Sequence, residues 1–280
     1  MKSIMNNGNY WLEEFDAFLN QGKDSKRFLN GLTTSNMNLQ NEVVQTCWLT
    51  PKGALRAILE IYFYENDIII IALEGDLYEI KKFFEDMIFP TDDILLSDIF
   101  KKFRIQEVDE NIPWREGCPK LIKGNKIEKY LKKNNFAVFD QMRLKEWKIL
   151  QALPILNYEI EGTHNPLELG LLDLVDFNKG CYLGQETMAR LRKLSSLKQE
   201  IRVWRGSISE GNTICKNKKI YLNQLKDIIV GYVTSYIFSK NLEVIGLAII
   251  KSKYLEEHES FYLEDFGEIN MKKSIGSIFL

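Results

Sequence analysis

Short apolar runs and stripes of helical period alternate through the first part of the chain. Ser25–Asn30 reads as a helix, with Asp24 as its N-cap, Phe28 and Leu29 as buried anchors and Gly31 as its stop. Trp48–Pro51 leads into a turn at Lys52-Gly53. Ala54–Tyr64, rich in Ile, Tyr and Phe, then reads as β-strand. Glu65-Asn66-Asp67 is turn chemistry before the apolar run Ile68–Leu73, so the two strands predict a hairpin. A helix starts at Gly75-Asp76, with Leu77, Ile80, Phe84 and Met87 on one face and Lys81, Lys82 and Glu85 on the other. Pro90 ends it. One or two further strands follow through Ile94–Val108, and Asp140–Leu153 reads as a helix with Leu144, Trp147, Ile149 and Leu150 on its apolar side. Gly162, Pro166 and Gly170 punctuate the next stretch. From Ile201 the texture changes to short strands, Ile201–Ser207, Ile228–Ile237 and Leu242–Ile250, separated by turns at Gly211-Asn212 and Ser239–Asn241. This predicts a small β-barrel or sandwich. Paired strands followed by a packed helix favour an α+β layer over a doubly wound sheet.

Composition narrows the chemistry. With 45% hydrophobic and 27% charged residues over 280 positions, the chain is neither disordered nor collagen-like, and its length suits one to three domains. A net charge of -2 excludes a polycation that coats nucleic acid, but not a local basic face. Two such stretches stand out. Cys118–Lys133 carries Lys120, Lys123, Lys126, Lys129, Lys132 and Lys133 against Glu128 alone. If helical, it is a lysine ridge, read either as a solvated face or as a docking surface for a polyanion. Lys179–Arg205 carries seven basic residues against Glu186 and Glu200, again a solvated face or an RNA- or protein-docking surface. Cys47, Cys118, Cys181 and Cys215 are far apart with no C-x-x-C pair, so a zinc ribbon or thioredoxin-like site is not expected, nor a permanently bound metal. His164 and His258 are the only histidines, and no G-x-S-x-G elbow accompanies either, which argues against a hydrolase. The polar Met1–Tyr10 does not read as a signal peptide, and the longest apolar run, Ile68–Leu73, is far short of the ~20 residues a membrane span needs. A cytoplasmic protein with reduced thiols and no membrane partner is expected.

The most specific stretch is Val175–Arg192 (VDFNKGCYLGQETMARLR). Gly180 and Gly184 bracket Cys181, and Gln185–Leu191 is a good helix former with Met188 and Leu191 on one side. Cys181 therefore stands in a loop just before a helix N-terminus, with Lys179 nearby, a setting that favours a thiolate. A buried structural thiol is the plain alternative. Lys, Cys, Tyr, Gln and Glu crowded in one loop favour the functional reading.

KGCYLGQE, Lys179–Glu186, resembles the K-G-C-Y-x-G-Q-E signature of the YgfZ family. These are folate-binding relatives of the glycine-cleavage T-protein (aminomethyltransferase) and include iron–sulfur cluster assembly factors. Flanking segments are similar too: Asp24–Asn36 (DSKRFLNGLTTSN), with Asn36 in place of the family's Asp, Leu49–Gly53 (LTPKG), Asn165–Leu171 (NPLELGL) and Gly231–Ser235 (GYVTS). The resemblance covers most of the chain and is specific around Lys179–Arg190. It implies an α+β clover of two ferredoxin-flavoured parts around a central channel plus a C-terminal β-barrel. The corresponding boundaries are residues 1–115 for a folate-binding-like domain, 116–198 for the part carrying the KGCYLGQE loop, and 199–280 for the barrel.

The resemblance also implies a site. Cys181 is the functional thiol, and folate or tetrahydrofolate would meet Glu159, Lys148, Lys179, Tyr182, Gln185 and Glu186. Glu159 matches the family's pterin-contacting Glu, a residue type able to accept a pair of N–H bonds, although from sequence alone an exposed loop acid is nearly as good a reading. Lys148 and Ala152 of Lys148–Pro154 (KILQALP) replace the family's Arg and Gly. T-proteins use an Asp after the G-G turn, whereas Gly53–Ile58 here holds no carboxylate. The implied function is a folate-binding accessory role in iron–sulfur assembly or repair that affects cluster-dependent enzymes such as tRNA-modifying ones. The partners would be assembly or client proteins and tRNA. The alternatives are a tetrahydrofolate-dependent one-carbon transferase and a docking module. A single thiol holds no cluster alone, so another molecule would complete the ligand set.

Overall fold

The computed structural model describes residues 9–38, 41–64, 67–134, 137–193, 197–208, 214–239 and 242–279. The side chains of Lys132 and Lys133 lie outside the described residues. So, wholly or in part, do Met1–Tyr10 and the expected turns at Glu65-Asn66-Asp67, Gly211-Asn212 and Ser239–Asn241.

The first element is one the hydropathy pattern does not disclose. Strand β1 (Asn9–Gln21) is 13 residues long, and Glu13, Glu14 and Asp16 interrupt its apolar positions. It is followed by α1 (Ser25–Leu32), β2 (Val43–Leu49), β3 (Leu55–Phe63), β4 (Ile68–Glu74), α2 (Leu77–Asp86), β5 (Leu95–Leu96) and β6 (Phe100–Val108). Next come β7 (Lys120–Ile122), α3 (Ile127–Asn134), β8 (Ala137–Val138), α4 (Gln141–Leu150) and α5 (Gln185–Arg192). The eight strands form one sheet in the order β2-β3-β4-β1-β6-β7, with β5 and β8 also paired to β1. β3 and β4 make the expected antiparallel hairpin. The sheet thus draws in strands on both sides of residue 116.

Local chemistry explains the helix starts. The Asp76 carboxylate accepts the Tyr78 and Glu79 N–H groups at the head of α2, and Asp140 accepts Arg143 N–H at the head of α4. Asp24 departs from its expected role. Its carboxylate accepts Asp93 N–H at 3.0 Å instead of capping α1, which runs through Gly31 to Leu32. The lysine ridge is also corrected. Lys120 lies on β7, Lys126 in the 3₁₀ turn Gly124–Lys126 and Lys129 in α3, so the three-residue spacing does not build one helical face.

The sheet curls strongly. Glu60 on β3 and Arg104 on β6 are separated by β4 and β1 in the strand order, yet their side chains meet at 2.6 and 2.7 Å. Its concave face is therefore filled by a charged pair, both members fully buried. The Arg104 guanidinium also lies 4.1 Å from the centre of the Trp11 ring.

The C-terminal strands β9 (Gln199–Ser207), β10 (Lys219–Tyr221), β11 (Ile229–Phe238), β12 (Glu243–Lys251), β13 (Ser260–Leu263) and β14 (Gly267–Lys272) close into a barrel in the order β10-β11-β12-β9-β14-β13. Closure removes the sheet edges and decides between the barrel and sandwich readings. Its interior holds Trp204, whose indole N–H donates to Leu247 O at 3.2 Å. Only glycine fits at position 246, because a Cβ there would stand 2.6 Å from that indole nitrogen. A shared core that includes Trp11, Trp147, Leu153, Tyr182, Ile201 and Leu247 joins sheet, connecting segments and barrel.

Candidate functional site

The signature loop is built onto the other segments that carry the sequence resemblance. Lys179 is buried, and its ammonium donates to Asn30 O at 2.7 Å, Thr33 O at 2.7 Å and Ser35 O at 2.8 Å. Leu183 N–H donates to Gly31 O and Asp176 N–H to Thr34 O. The loop thus seals the α1–β2 connection. Its far end rests on the LTPKG turn. Gly184 takes a left-handed conformation (φ 83°), and a Cβ there would lie 2.8 Å from Thr50 O and 3.1 Å from Gly53 Cα. Behind it, α5 buries Met188.

This geometry changes the roles read from sequence. An ammonium has three donors, and Lys179 uses all three on backbone carbonyls. It anchors the loop and has no donor left for a cofactor. Burial lowers its pKa to about 8, with Asp176 opposing, so it is still mainly charged at neutral pH. Tyr182 is buried at 7% exposure with its ring 5.1 Å from the Lys179 ammonium. Its hydroxyl has no hydrogen-bond partner among the described residues, and burial raises its pKa to about 12. Gln185 is half-buried, and Cys181 and Glu186 are exposed. Cys181 is therefore not the buried structural thiol of the alternative reading. Of the other three cysteines Cys47 is buried, while Cys118 and Cys215 are exposed. The basic stretch that follows is partly absorbed by local contacts, since Arg202 pairs with Glu200 at 2.7 Å and Arg192 stacks on Phe177 at 4.7 Å.

Glu159 lies in a second cluster. It is fully buried, not an exposed loop acid, with Oε2 accepting Ile155 N–H at 3.0 Å and Oε1 accepting the Ser235 hydroxyl of the GYVTS strand at 2.8 Å. Burial raises its pKa against those bonds. One residue on, Leu156 N–H donates to Glu74 Oε2 at 3.2 Å. Lys148 joins this cluster from α4. Its ammonium lies 3.2 Å from Glu13, 3.6 Å from Glu74 and 4.5 Å from the centre of the Trp11 ring. Ala152, where the family pattern has Gly, is held at φ 48°, a left-handed conformation costing about 1–2 kcal/mol for a residue with a Cβ.

Two clefts adjoin these groups. One of about 430 Å³ is lined by Glu13, Glu74, Lys148 and Leu156 among others. Another of about 780 Å³ is lined by Gln45, Arg115, Cys118 and Asp173 among others. Lys148 alone of the sequence-identified site residues lines either, and the KGCYLGQE loop lines neither. The charged lining of the smaller cleft is Glu13, Glu14, Asp16, Glu74 and Asp76 with Lys101 and Lys148, so its partly buried Glu74 beside a lysine can accept N–H donors of a small molecule. Sequence reasoning missed Glu74, Glu60 and Arg104. For the two acids the available signal was an isolated charge in an apolar run, Glu60 within residues 57–63 and Glu74 closing Ile68–Glu74.

The chain is 26% identical over 228 residues to the tRNA-modifying protein YgfZ of Vibrio atlanticus, covering 71% of this chain and 70% of that protein. Further YgfZ proteins match at similar identity. The fold is that of the glycine cleavage aminomethyltransferase T of Bartonella henselae, with a TM-score of 0.73 at 12% identity over 99% of this chain and 89% of that one. The chain is thus similar in sequence to YgfZ proteins and shares the fold of an aminomethyltransferase T. A chloroplast protein of Arabidopsis thaliana that carries a transferase name is 25% identical over 86% of this chain, which spans 65% of that relative. No family model matches. Among the described residues, no His/Cys/Asp/Glu group could hold a metal ion, and no helix is long and apolar enough to cross a membrane.

Proposed function

We propose that this chain is a folate-binding accessory protein for iron–sulfur cluster assembly or repair, acting on cluster-dependent enzymes such as those that modify tRNA. The observation that carries the reading is the pair of carboxylates, the buried Glu159 and the partly buried Glu74, gripping consecutive backbone N–H groups beside Lys148 on a T-protein fold. The tRNA-modifying name of the YgfZ relatives supports the direction of action. The residues that would hold the folate are Lys148, which lines the smaller cleft, and the Glu159 region, whereas Tyr182, Gln185 and Glu186 belong to the loop that lines neither cleft. Bound tetrahydrofolate would supply a one-carbon carrier. Gly53–Ile58 holds no carboxylate, and its Arg56 pairs with Glu79 at 3.1 Å, so binding rather than aminomethyl transfer is the proposed role. A cytoplasmic location is part of the same reading.

A calorimetric titration tests the ligand. Wild type should bind tetrahydrofolate, and Glu159→Ala, which removes the acceptor of Ile155 N–H and of the Ser235 hydroxyl, should lose it. Unchanged binding in the variant would separate this cluster from the ligand.

Cys181, as an exposed thiol on a firmly anchored loop, is the group proposed to meet a partner's thiols or a cluster passed between proteins. Cys181→Ser should leave the unfolding midpoint within experimental error, because no packing is lost, yet fail to restore cluster-dependent tRNA modification in cells lacking the gene. Full restoration would remove the thiol from the function.

A further inference from the structure

The 430 Å³ cleft and the Ile155–Leu156 backbone distinguish Glu74 from the fully buried Glu159. Glu74 ends β4 and lines the cleft, with Oε1 3.6 Å from the Lys148 ammonium, too far for a hydrogen bond. Lys148 lines it as well, with a hydrogen bond to Glu13 Oε2. Glu159 does not line it. Both its oxygens are engaged behind the backbone, on Ile155 N–H and the Ser235 hydroxyl. Ile155 and Leu156 are therefore gripped from two sides, and only one of the two acids faces the open space.

We propose that Glu74 and Lys148 are the ligand-recognition pair of this cleft, and that Glu159 is a positioning residue acting through Ile155 and Leu156. Glu74 would accept the N–H edge of a heterocycle, and Lys148 would meet an anionic or carbonyl oxygen on the same molecule. The proposal rests on the folate reading and moves its N–H-accepting group from Glu159 to Glu74.

The charged groups acting on Glu74 are Lys148 from α4, Glu13 from β1 and Glu159 from the turn after α4, and Glu14, Asp16, Asp76 and Lys101 line the same cleft, Lys101 paired with Asp16. Burial and the two like charges raise the Glu74 pKa, against Lys148 and the Leu156 N–H, and the net direction is upward. The ionised form is the better acceptor. Affinity for an N–H donor should therefore rise as pH climbs from mildly acidic to neutral through that raised value.

The test is tetrahydrofolate binding by calorimetry across that pH range, with folding of each variant checked by thermal melting. Glu74→Gln should weaken binding by about tenfold or more at neutral pH and flatten the pH profile. Lys148→Met, which leaves the Leu156 bond intact, should also weaken it and serves as the second variant if Glu74→Gln does not fold. Glu159→Gln keeps an oxygen for the Ile155 N–H and should bind within about threefold of wild type, with the wild-type pH profile. If wild type binds, Glu74→Gln and Lys148→Met bind equally well and Glu159→Gln does not, the assignment is overturned and the folate reading stands. If wild type does not bind at all, both fall.

Discussion

Replacing Glu60 with Leu should destabilise the protein by about 3–5 kcal/mol, among the largest effects available to a single substitution here. Each Glu60 oxygen holds two bonds. Oε1 accepts from Arg104 at 2.7 Å and Gln45 at 2.8 Å, and Oε2 accepts from Arg104 and the Tyr62 hydroxyl, both at 2.6 Å. Arg104 donates as well to Gln106, whose amide donates to Trp114 O. Without Glu60 the guanidinium remains buried, with the Trp11 face and one amide oxygen as its remaining compensation. Most of the cost is this stranded charge rather than the lost pair. The double variant Glu60→Leu/Arg104→Met should therefore recover much of the stability, and urea unfolding of the four proteins in a double-mutant cycle measures it. A single-variant loss below about 1 kcal/mol would show that the pair does not order the concave face. The network also predicts an acid response. Burial opposes the charged carboxylate, but Arg104 and the hydrogen bonds from Arg104, Tyr62 and Gln45 outweigh it and hold the Glu60 pKa below its ordinary 4.5. The contribution of Glu60 is complete above that ordinary value and is lost as pH falls through the lower folded one.

Lys179→Met should be nearly as costly, about 3 kcal/mol, for a different reason. The side chain keeps its length but loses its donors, leaving the Asn30, Thr33 and Ser35 carbonyls without their shared partner. Those three carbonyls come from the last turn of α1 and the connection after it, so the loss is local. Amide hydrogen exchange should accelerate in residues 179–186 and 30–36 well before the barrel responds. Uniform exchange across the chain, or unchanged unfolding, would mean that the signature loop docks by packing of Tyr182 and Met188 alone.

Much of the architecture was readable from local patterns. The β3–β4 hairpin, the amphipathic α2 starting at Asp76 and the run of short C-terminal strands follow from periodicity and turn chemistry, which act over a few residues, whereas closure of those strands into a barrel does not. β1 was not readable, because a central strand is specified by its neighbours. Its acidic positions Glu13 and Asp16 are stabilised by Lys148 and Lys101, contacts that no local pattern reports. The signature residues were legible as a motif but not as individual roles. Lys179, read as a charge beside Cys181, is an anchor between two distant segments, and Glu159, equally readable as an exposed acid, is buried behind Ile155.

By itself, then, the sequence determined the α+β class, the barrel-like end, the family resemblance and Cys181 as the thiol of interest. Tertiary structure alone decided which carboxylate and which lysine line a cleft, and that Glu60 and Arg104 close the concave face of the sheet. The physical reason is range. Periodicity and capping are local, whereas the burial of a charge and the position of its partner depend on how strands far apart in sequence are brought together by the curl of one sheet.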